Sequence, residues 1–524
     1  MSNQSGKRDA WGSRIGLILA MAGSAIGLGN FLRFPVQAAE NGGGAFMIPY
    51  FVALLLLGIP LMWVEWTIGR YGGQYGYGSA VGAFGAMAST PKGARRANLL
   101  GLLGIVVPIL FAVYYTYVES WTLAYSFFSI TNQYNGLTSL TDMSAFLGAY
   151  QGKVSNNFFS GQGSAIVFFL ITLVLNVYVL SRGISGGIEK LAKIAMPLLF
   201  LFAFVLVWRV WTLDAPDPSK PENTVFNGFA FLWNPDFSAM GSAKAWLAAA
   251  GQIFFTLSIG SASILTYASY LKRREDVVIT GLTTTMTNEF AEVILGASIA
   301  IPVAVAFFGV TETQMIAKGG SYDLGFVAMP VIFQQLPLGS FFGMLWFGLL
   351  FFAGITSSVA LCSPAMAFLQ DQLHVSRGRA SLMIGGVMLV WGLPIVLFLP
   401  HGYLDEYDFW VGTFLLVVVA LIEAILLGWV FGMDRAWKEM HDGAQIRIPL
   451  VFKYIIKYIA PIYLIGLLIF WGYQDGLPVL TMAKSKPVDV PYLWLARASM
   501  ALLGGIVLAL IFRAYKKGTL RDDH

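Results

Sequence analysis

The chain is a succession of apolar stretches, each long enough to cross a lipid bilayer. A membrane-spanning helix needs about 20 mostly apolar residues. About twelve segments reach that length: residues 14–38, 43–71, 96–129, 161–181, 187–212, 242–270, 277–309, 339–371, 379–399, 408–432, 449–474 and 491–513. Inside hydrocarbon every backbone N–H and C=O must be bonded within the protein, so such segments fold as helices. The predicted class is an all-α integral membrane protein of about 12 transmembrane helices. Composition supports this: only 12% of the 524 residues are charged, about half the share of a soluble domain. That is too little charge to wet the surface of a soluble chain of this length, so the lipid bilayer is the first partner implied. The net charge of +5 makes no case for nucleic acid. A lone cysteine, Cys362, excludes a disulfide scaffold.

Lysine and arginine in the loops orient such a protein, because they accumulate on the cytoplasmic side. One side collects Lys7, Arg8, Lys92, Arg95, Arg96, Arg182, Lys190, Lys193, Lys272, Arg273, Arg274, Arg377, Arg379, Arg435, Lys438, Arg447, Lys516, Lys517 and Arg521. The other has Lys153, Lys220, Lys318 and Lys484. Both termini are therefore predicted cytoplasmic, in the plasma membrane. Residues 1–13 form a tail rather than a signal peptide, since no small-residue cleavage site follows, and residues 514–524 form a second tail. The longer loops near 131–160, 213–241 and 310–338 face outward. Their apolar runs Phe226–Trp233 and Gly325–Phe333 read equally as short capping helices or as packed loop.

Two spans lose their helical character at mid-membrane depth. The first holds Ala22-Gly23-Ser24-Ala25-Ile26-Gly27-Leu28-Gly29-Asn30, the second Thr256-Leu257-Ser258-Ile259-Gly260-Ser261-Ala262-Ser263. Glycine in a helix interior costs about 1 kcal/mol. Freed backbone groups survive in a membrane only where they line a buried site. Either stretch alone reads as tight helix packing through small residues. Their positions, in the first and sixth spans, correspond if residues 14–212 and 242–432 are two five-helix repeats of inverted topology, with two more helices at 449–513. Paired breaks of this kind point to a substrate and ion site at the bilayer midplane. Helix ends there offer carbonyls to a cation and N–H groups to a carboxylate.

Polar residues inside spans are functional candidates. Asn30, Thr256 and Ser258 lie at the breaks, Asn288, Glu289 and Glu292 in the seventh span, and Thr356, Ser357 and Ser358 in the eighth. Asn288 and Glu292 are one helical turn apart and share a face. Amide, hydroxyl and carbonyl oxygens of this kind suit sodium, although interhelical hydrogen bonding alone accounts for Ser358 or Ser263. Arg33 and Asp408 fall toward the outer side, Arg8 and Asp371 toward the cytoplasm, as an ion pair on each side of a central site would. Such pairs are worth about 0–1 kcal/mol, which suits gates that must open. Asn41-Gly42-Gly43-Gly44 lacks the Lys-Ser/Thr of a phosphate loop, which excludes ATP drive. His374, His401, His441 and His524 show no metal-ligand spacing. No nucleophile cluster can be assembled, so neither an enzyme nor an organic cofactor is expected.

Gly27-Leu28-Gly29-Asn30-Phe31-Leu32-Arg33-Phe34-Pro35, Asn41 to Phe46, Pro49-Tyr50, Gly251 to Ser258, Asn288-Glu289, Phe352-Ala353-Gly354, Thr356-Ser357-Ser358 and Asp405 to Trp410 resemble the neurotransmitter:sodium symporter family, most closely its bacterial amino acid transporters. The resemblance runs over essentially the whole chain. It implies a first sodium site from the carbonyls of Ala25 and Thr256 with the side chains of Asn30, Thr256 and Asn288, completed by the substrate carboxylate. A second would use the carbonyls of Gly23, Ile26 and Ala353 with the hydroxyls of Thr356 and Ser357. The amino acid would lie against Ala25, Gly29, Phe111, Tyr115, Phe255, Thr256, Ser258, Ser261, Ser357 and Leu361, Tyr115 donating to its carboxylate. Arg33 and Asp408, with Gln252, would form the outer gate, and Arg8 and Asp371, with Tyr270, the inner one. Glu292 stands where chloride-dependent relatives have serine, so its charge would replace the anion.

Against the pattern of those bacterial transporters, Phe111 replaces a valine, Ser261 a phenylalanine, Leu361 an isoleucine and, with a minor expected effect, Ser24 an asparagine. The first change fills volume and the second opens it on another wall. A methylene in such a pocket is worth about 1–3 kcal/mol, so the side-chain pocket is expected to be reshaped. The function expected is sodium-coupled symport of neutral or hydrophobic amino acids by alternating access without chloride. The alternatives are an amino acid sensor or a channel of the same fold. A homodimer is compatible with the sequence.

Overall fold

The computed structural model describes residues 10–521, apart from 236 and 238–240. Among the described residues ten continuous helices are long and apolar enough to cross a membrane: α3 (Gly44–Gln74), α4 (Pro91–Ile130), α5 (Gly163–Ser181), α6 (Ile184–Trp211), α9 (Val277–Phe308), α10 (Gly339–Asp371), α11 (Arg377–Leu397), α12 (Tyr403–His441), α13 (Val451–Trp471) and α14 (Val490–Lys516). An eleventh crossing is bent by 47° between α1 (Arg14–Ala25) and α2 (Gly29–Glu40). The span predicted at 242–270 is also broken, into α7 (Ala243–Thr256) and α8 (Ser263–Ala268). Every predicted span thus corresponds to a helix or to a broken pair of helices.

The bounds differ where helices leave hydrocarbon. The helix predicted from 96 begins at Pro91, where the Thr90 hydroxyl caps it by accepting the Gly93 N–H. The helix predicted over 408–432 continues to His441, its last turns burying Met433, Ala436 and Met440. An apolar window registers membrane thickness, whereas the hydrogen-bond ladder continues past it. The loops predicted to face outward hold helices Leu140–Tyr150, Val225–Trp233, Val310–Lys318 and Asp323–Gln334. The second and fourth match the two apolar runs. The others are short and mixed in polarity and carry no such signal.

Packing separates scaffold from periphery. In α9 and α10, 83% of the apolar window is buried, against 22% in α14. The peripheral α5 turns Val167, Ile171, Val174 and Tyr178 outward, a stripe of one helical face that lipid can cover. The breaks therefore sit among the most buried helices.

Arg70, at the end of α3, is a buried exception to the apolar core. Its guanidinium donates to the carbonyls of Glu275 and Asp442, at 2.7 Å each, and to the carbonyl of Glu439, and it pairs with the Glu439 carboxylate at 3.1 Å. One side chain thereby ties the loop after α8 to the end of α12. Removing one partner of a buried charge cluster costs about 3–5 kcal/mol. Arg70→Met should therefore lower the thermal midpoint in detergent by several degrees, followed by tryptophan fluorescence. Lys244→Ala, which breaks the exposed pair with Glu40, should change stability by less than about 1 kcal/mol.

Candidate substrate and ion site

The first break begins at Ile26, whose backbone turns extended (ψ 105°). The N–H groups it frees find side chains: Gly27 donates to Asn30 Oδ1 and Leu28 to the Tyr115 hydroxyl, both at 2.8 Å. The second break runs through left-handed backbone at Ser258 (φ 54°), Gly260 (φ 80°) and Ala262 (φ 54°). At Gly260 a Cβ would lie 2.1 Å from the Leu416 carbonyl oxygen, so this turn has room only for glycine. Its N–H donates to Glu65 Oε1 at 2.6 Å. At Gly29 a Cβ would lie 2.6 Å from the Phe255 ring, so the two breaks close directly on each other.

The side chains predicted for the first ion site, those of Asn30, Asn288 and Thr256, form one polar chain. Asn30 Nδ2 donates to Asn288 Oδ1 at 2.8 Å, and Asn288 Nδ2 to Thr256 Oγ1 at 3.1 Å. The Thr256 hydroxyl in turn donates to Glu292, linking α2, α7 and α9. Three donors converge on Glu292: Thr256, Gln252 Nε2 at 3.1 Å and the Tyr50 hydroxyl at 2.8 Å. Tyr50 also reaches Glu289, at 2.7 Å. Gln252 is thus turned inward to the Glu292 network and away from the gate assigned to it.

The second predicted site joins α1 to α10. Ser357 Oγ lies 3.2 Å from the carbonyl oxygens of both Gly23 and Ile26, and Thr356 Oγ1 is 3.2 Å from that of Ala353. Three of the five predicted groups, the Ser357 hydroxyl and the carbonyls of Gly23 and Ile26, therefore meet across the two helices, while Thr356 and Ala353 bond to each other within α10. Oxygen-only donors of this kind fit a hard cation. Among the described residues no cluster of three His, Cys, Asp or Glu side chains could hold a metal.

Between the breaks lies a small cavity lined by Ala25, Gly29, Phe111, Tyr115, Phe255, Thr256, Ser258, Ser357 and Leu361 together with Gly27 and Asn30. Every residue predicted for the substrate pocket lines it except Ser261. That hydroxyl donates to the Ser258 carbonyl at 2.6 Å, so the wall expected to open there is not part of the cavity. Phe111 is nearly buried, stacks on Tyr114 at 5.1 Å and packs against Tyr115 and Phe255, each at 5.6 Å.

Above it a larger cavity of about 810 Å³ holds both predicted outer-gate charges, Arg33 and Asp408, with Asp405 and Tyr322. The two charges share this space without pairing. Arg33 lies over the Phe255 ring at 4.3 Å, and Asp408 accepts from the Tyr114 hydroxyl at 2.8 Å. At the opposite end, Arg8 lies outside the described residues. Asp371 accepts the Gly78 N–H at 2.9 Å. Tyr270 borders a cavity of about 1220 Å³ with Trp11. The start of α1 is fastened there: Trp11 Nε1 donates to the Tyr267 carbonyl at 3.3 Å, and the Gly12 N–H and Ser13 hydroxyl donate to Glu189 at 2.7 Å.

Three buried acids belong to this core without a motif to mark them. Glu65 holds the second break, and Glu423 is fully buried as well. Glu119 receives Asn176 Nδ2 at 3.4 Å, and Asn176 accepts from Ser358 at 2.7 Å, which makes Ser358 an interhelical tie. Ser263 likewise bonds within the break: its hydroxyl lies 3.1 Å from that of Ser261, and its N–H donates to the Ser261 hydroxyl at 3.3 Å. The signal for these acids was a lone acidic residue inside an apolar span.

Comparison with known proteins agrees with this geometry. The model of the sodium:neurotransmitter symporter family matches residues 8–143 and 137–476. An uncharacterised sodium-dependent transporter of Methanocaldococcus jannaschii is 30% identical over 481 residues, covering 91% of this chain and 92% of that one. The sodium- and chloride-dependent neutral and basic amino acid transporter B(0+) of Mus musculus is 22% identical over 548 residues, 94% of this chain and 82% of its own. The crystal structure of MhsT in complex with L-phenylalanine superposes with a TM-score of 0.74 at 28% identity, covering 88% of this chain and 99% of MhsT. Matched along most of its length, this multi-pass membrane protein belongs to the sodium:neurotransmitter symporter family, a family of sodium-coupled transporters and not of enzymes.

Proposed function

We propose that the chain carries neutral amino acids into the cell together with sodium, by alternating access and without chloride. The observation that carries this reading is the continuous polar chain from Asn30 through Asn288 and Thr256 to Glu292, beside the cavity between the two helix breaks. Helix breaks offer carbonyl oxygens to a cation and N–H groups to a carboxylate. A zwitterion in the cavity would thus add its carboxylate to the first sodium site, with the Tyr115 hydroxyl beside it, so ion and substrate each complete the other's site. The hydroxyls of Thr356 and Ser357 would serve a second sodium. An amino acid substrate is also supported by the L-phenylalanine bound to MhsT and by the mouse relative's description.

On this reading residues 14–212 and 242–432 are the two inverted repeats, 449–513 adds two helices, and the tails 1–13 and 514–524 are cytoplasmic at the plasma membrane. The separated Arg33 and Asp408, with the α1 start fastened at the other end, describe an outward-facing state. Substrate and sodium together favour closure when they bind the closed form better than the open one. Glu292, embraced by three donors, supplies the negative charge that a chloride would bring.

Uptake of labelled amino acids into proteoliposomes tests the whole scheme. Accumulation should require an inward sodium gradient and persist when gluconate replaces chloride. Absence of sodium-dependent uptake for every amino acid overturns it, and binding without uptake would assign a sensor. Asn30→Ala removes an oxygen shared by ion and substrate coupling, so sodium and substrate affinities should fall together, each by a factor of about 5–150. Calorimetric titration of both ligands checks this, and loss of only one affinity contradicts a shared site. Phe111→Val should shift the preference toward larger side chains by about 10–200-fold, measured by competition of tryptophan against alanine.

A further inference from the structure

We infer that α14, outside both repeats, positions the outer-gate carboxylate Asp408 through Arg497 and Ser499; this rests on the reading of Asp408 as that gate. The start of α12 has two working sides. Asp405 and Asp408 border the outer cavity, while Tyr403, Glu406 and Tyr407 are buried and bond to α14. Arg497, two turns into α14, spends its whole fork here: Nε on Glu406, Nη1 on the Leu480 carbonyl at 2.9 Å and Nη2 on that of Val479 at 2.8 Å. Glu406 also accepts from Trp410 Nε1 at 2.7 Å, and the guanidinium lies 5.4 Å from the Trp410 ring. Two residues on, the Ser499 hydroxyl meets those of Tyr407, at 2.5 Å, and Tyr403, at 3.1 Å.

Two physical facts give this seam a role beyond adhesion. A hydrogen-bonded ion pair in a membrane protein is expensive, and well-packed apolar residues would hold two helices together as well or better. What apolar packing does not fix is rotation. Here rotation matters, because the backbone is π-helical from Asp408 to Phe414. A π turn has one more residue than an α turn and little stability of its own, so outside contacts decide which side chain faces the cavity. Glu406, Tyr407 and Trp410 bracket Asp408 on both sides and are pinned to one partner helix or to each other. That setting leaves Asp408 where the Tyr114 hydroxyl meets it at 2.8 Å, facing the space it shares with Arg33.

The test uses Ser321→Cys, a reporter in the wall of the outer cavity. The native Cys362 is fully buried, so maleimide labels the reporter. Sodium plus a mixture of all standard amino acids should protect the reporter in the full-length protein. In Arg497→Met/Glu406→Gln, which leaves no unpaired charge, and in Ser499→Ala, that protection should be lost. The KM for the best-transported amino acid should rise about 2- to 30-fold while the amount of folded protein stays near that of the parent. A merely structural seam would lower the amount of folded protein and leave protection of the folded fraction intact. Wild-type protection and KM in either folded variant overturns the inference, and Ser499→Ala decides it if the double variant does not fold. Asp408→Asn separates the two readings. If it also keeps full protection, the gate assignment itself fails. If it loses protection while the seam variants keep it, only the inference about α14 fails.

Discussion

A peptide group left unpaired in hydrocarbon costs several kcal/mol, and the working parts of this protein lie where the helical ladder is given up. At the first break the freed N–H groups are taken by Asn30 and Tyr115, at the second by Glu65. The carbonyls of Gly23 and Ile26 meet Ser357. Each repair comes from a side chain on another element, or from one just beyond the break. The breaks are therefore held open by the same helices that enclose the cavity. Moving one helix half changes the partners of several backbone groups together, which is what a carrier with two exclusive states requires.

The same economy governs charge. No carboxylate of the protein belongs to either proposed ion site, yet acids surround them: Glu292 and Glu289 beside the first, Glu119 behind α10, and Glu65 and Glu423 at the second break. An ion held by neutral oxygens can leave again, since multi-oxygen sites without a fixed counter-charge bind with less Coulomb energy. Placing the negative charge one residue away, on Glu292 through Thr256, attracts the cation without capturing it. The low charge content of the chain is in this sense a property of the transport site as well as of the lipid-facing surface.

The apolar spans and both breaks were legible in the sequence because membrane thickness and glycine placement are local signals, although the described residues give ten continuous crossings, or eleven with the bent pair, against about twelve expected. The residues singled out by motifs at those breaks, Asn30, Thr256 and Asn288, do converge. What was not legible depends on rotation and on partners distant in sequence. Gln252 has its gate-side position but turns to Glu292, because a buried carboxylate offers it a stronger acceptor than the cavity does. Glu65 and Glu119 were visible as acids in apolar spans, but nothing local says which backbone or amide they serve. The short helices Leu140–Tyr150 and Val310–Lys318 lack an apolar run since they lie over the protein and not in lipid.

The pocket wall shows how such a misreading arises. A serine at 261 was expected to open space, on the premise that a small side chain leaves its volume to the ligand. In a broken segment a hydroxyl has a second option, the nearby carbonyl of a residue that no longer has a helical partner, and Ser261 takes that of Ser258. The residue then belongs to the repair of the break and not to the cavity. Bulk on the opposite side is supplied by Phe111 from α4, a continuous helix, through its stack on Tyr114 and its contacts with Tyr115 and Phe255. A wall carried by a continuous helix keeps its place while the broken helices rearrange. For the proposed amino acid substrate the limit on side-chain size would then come from the scaffold, and the broken helices would be left to bind the parts common to every amino acid, its carboxylate and its amine.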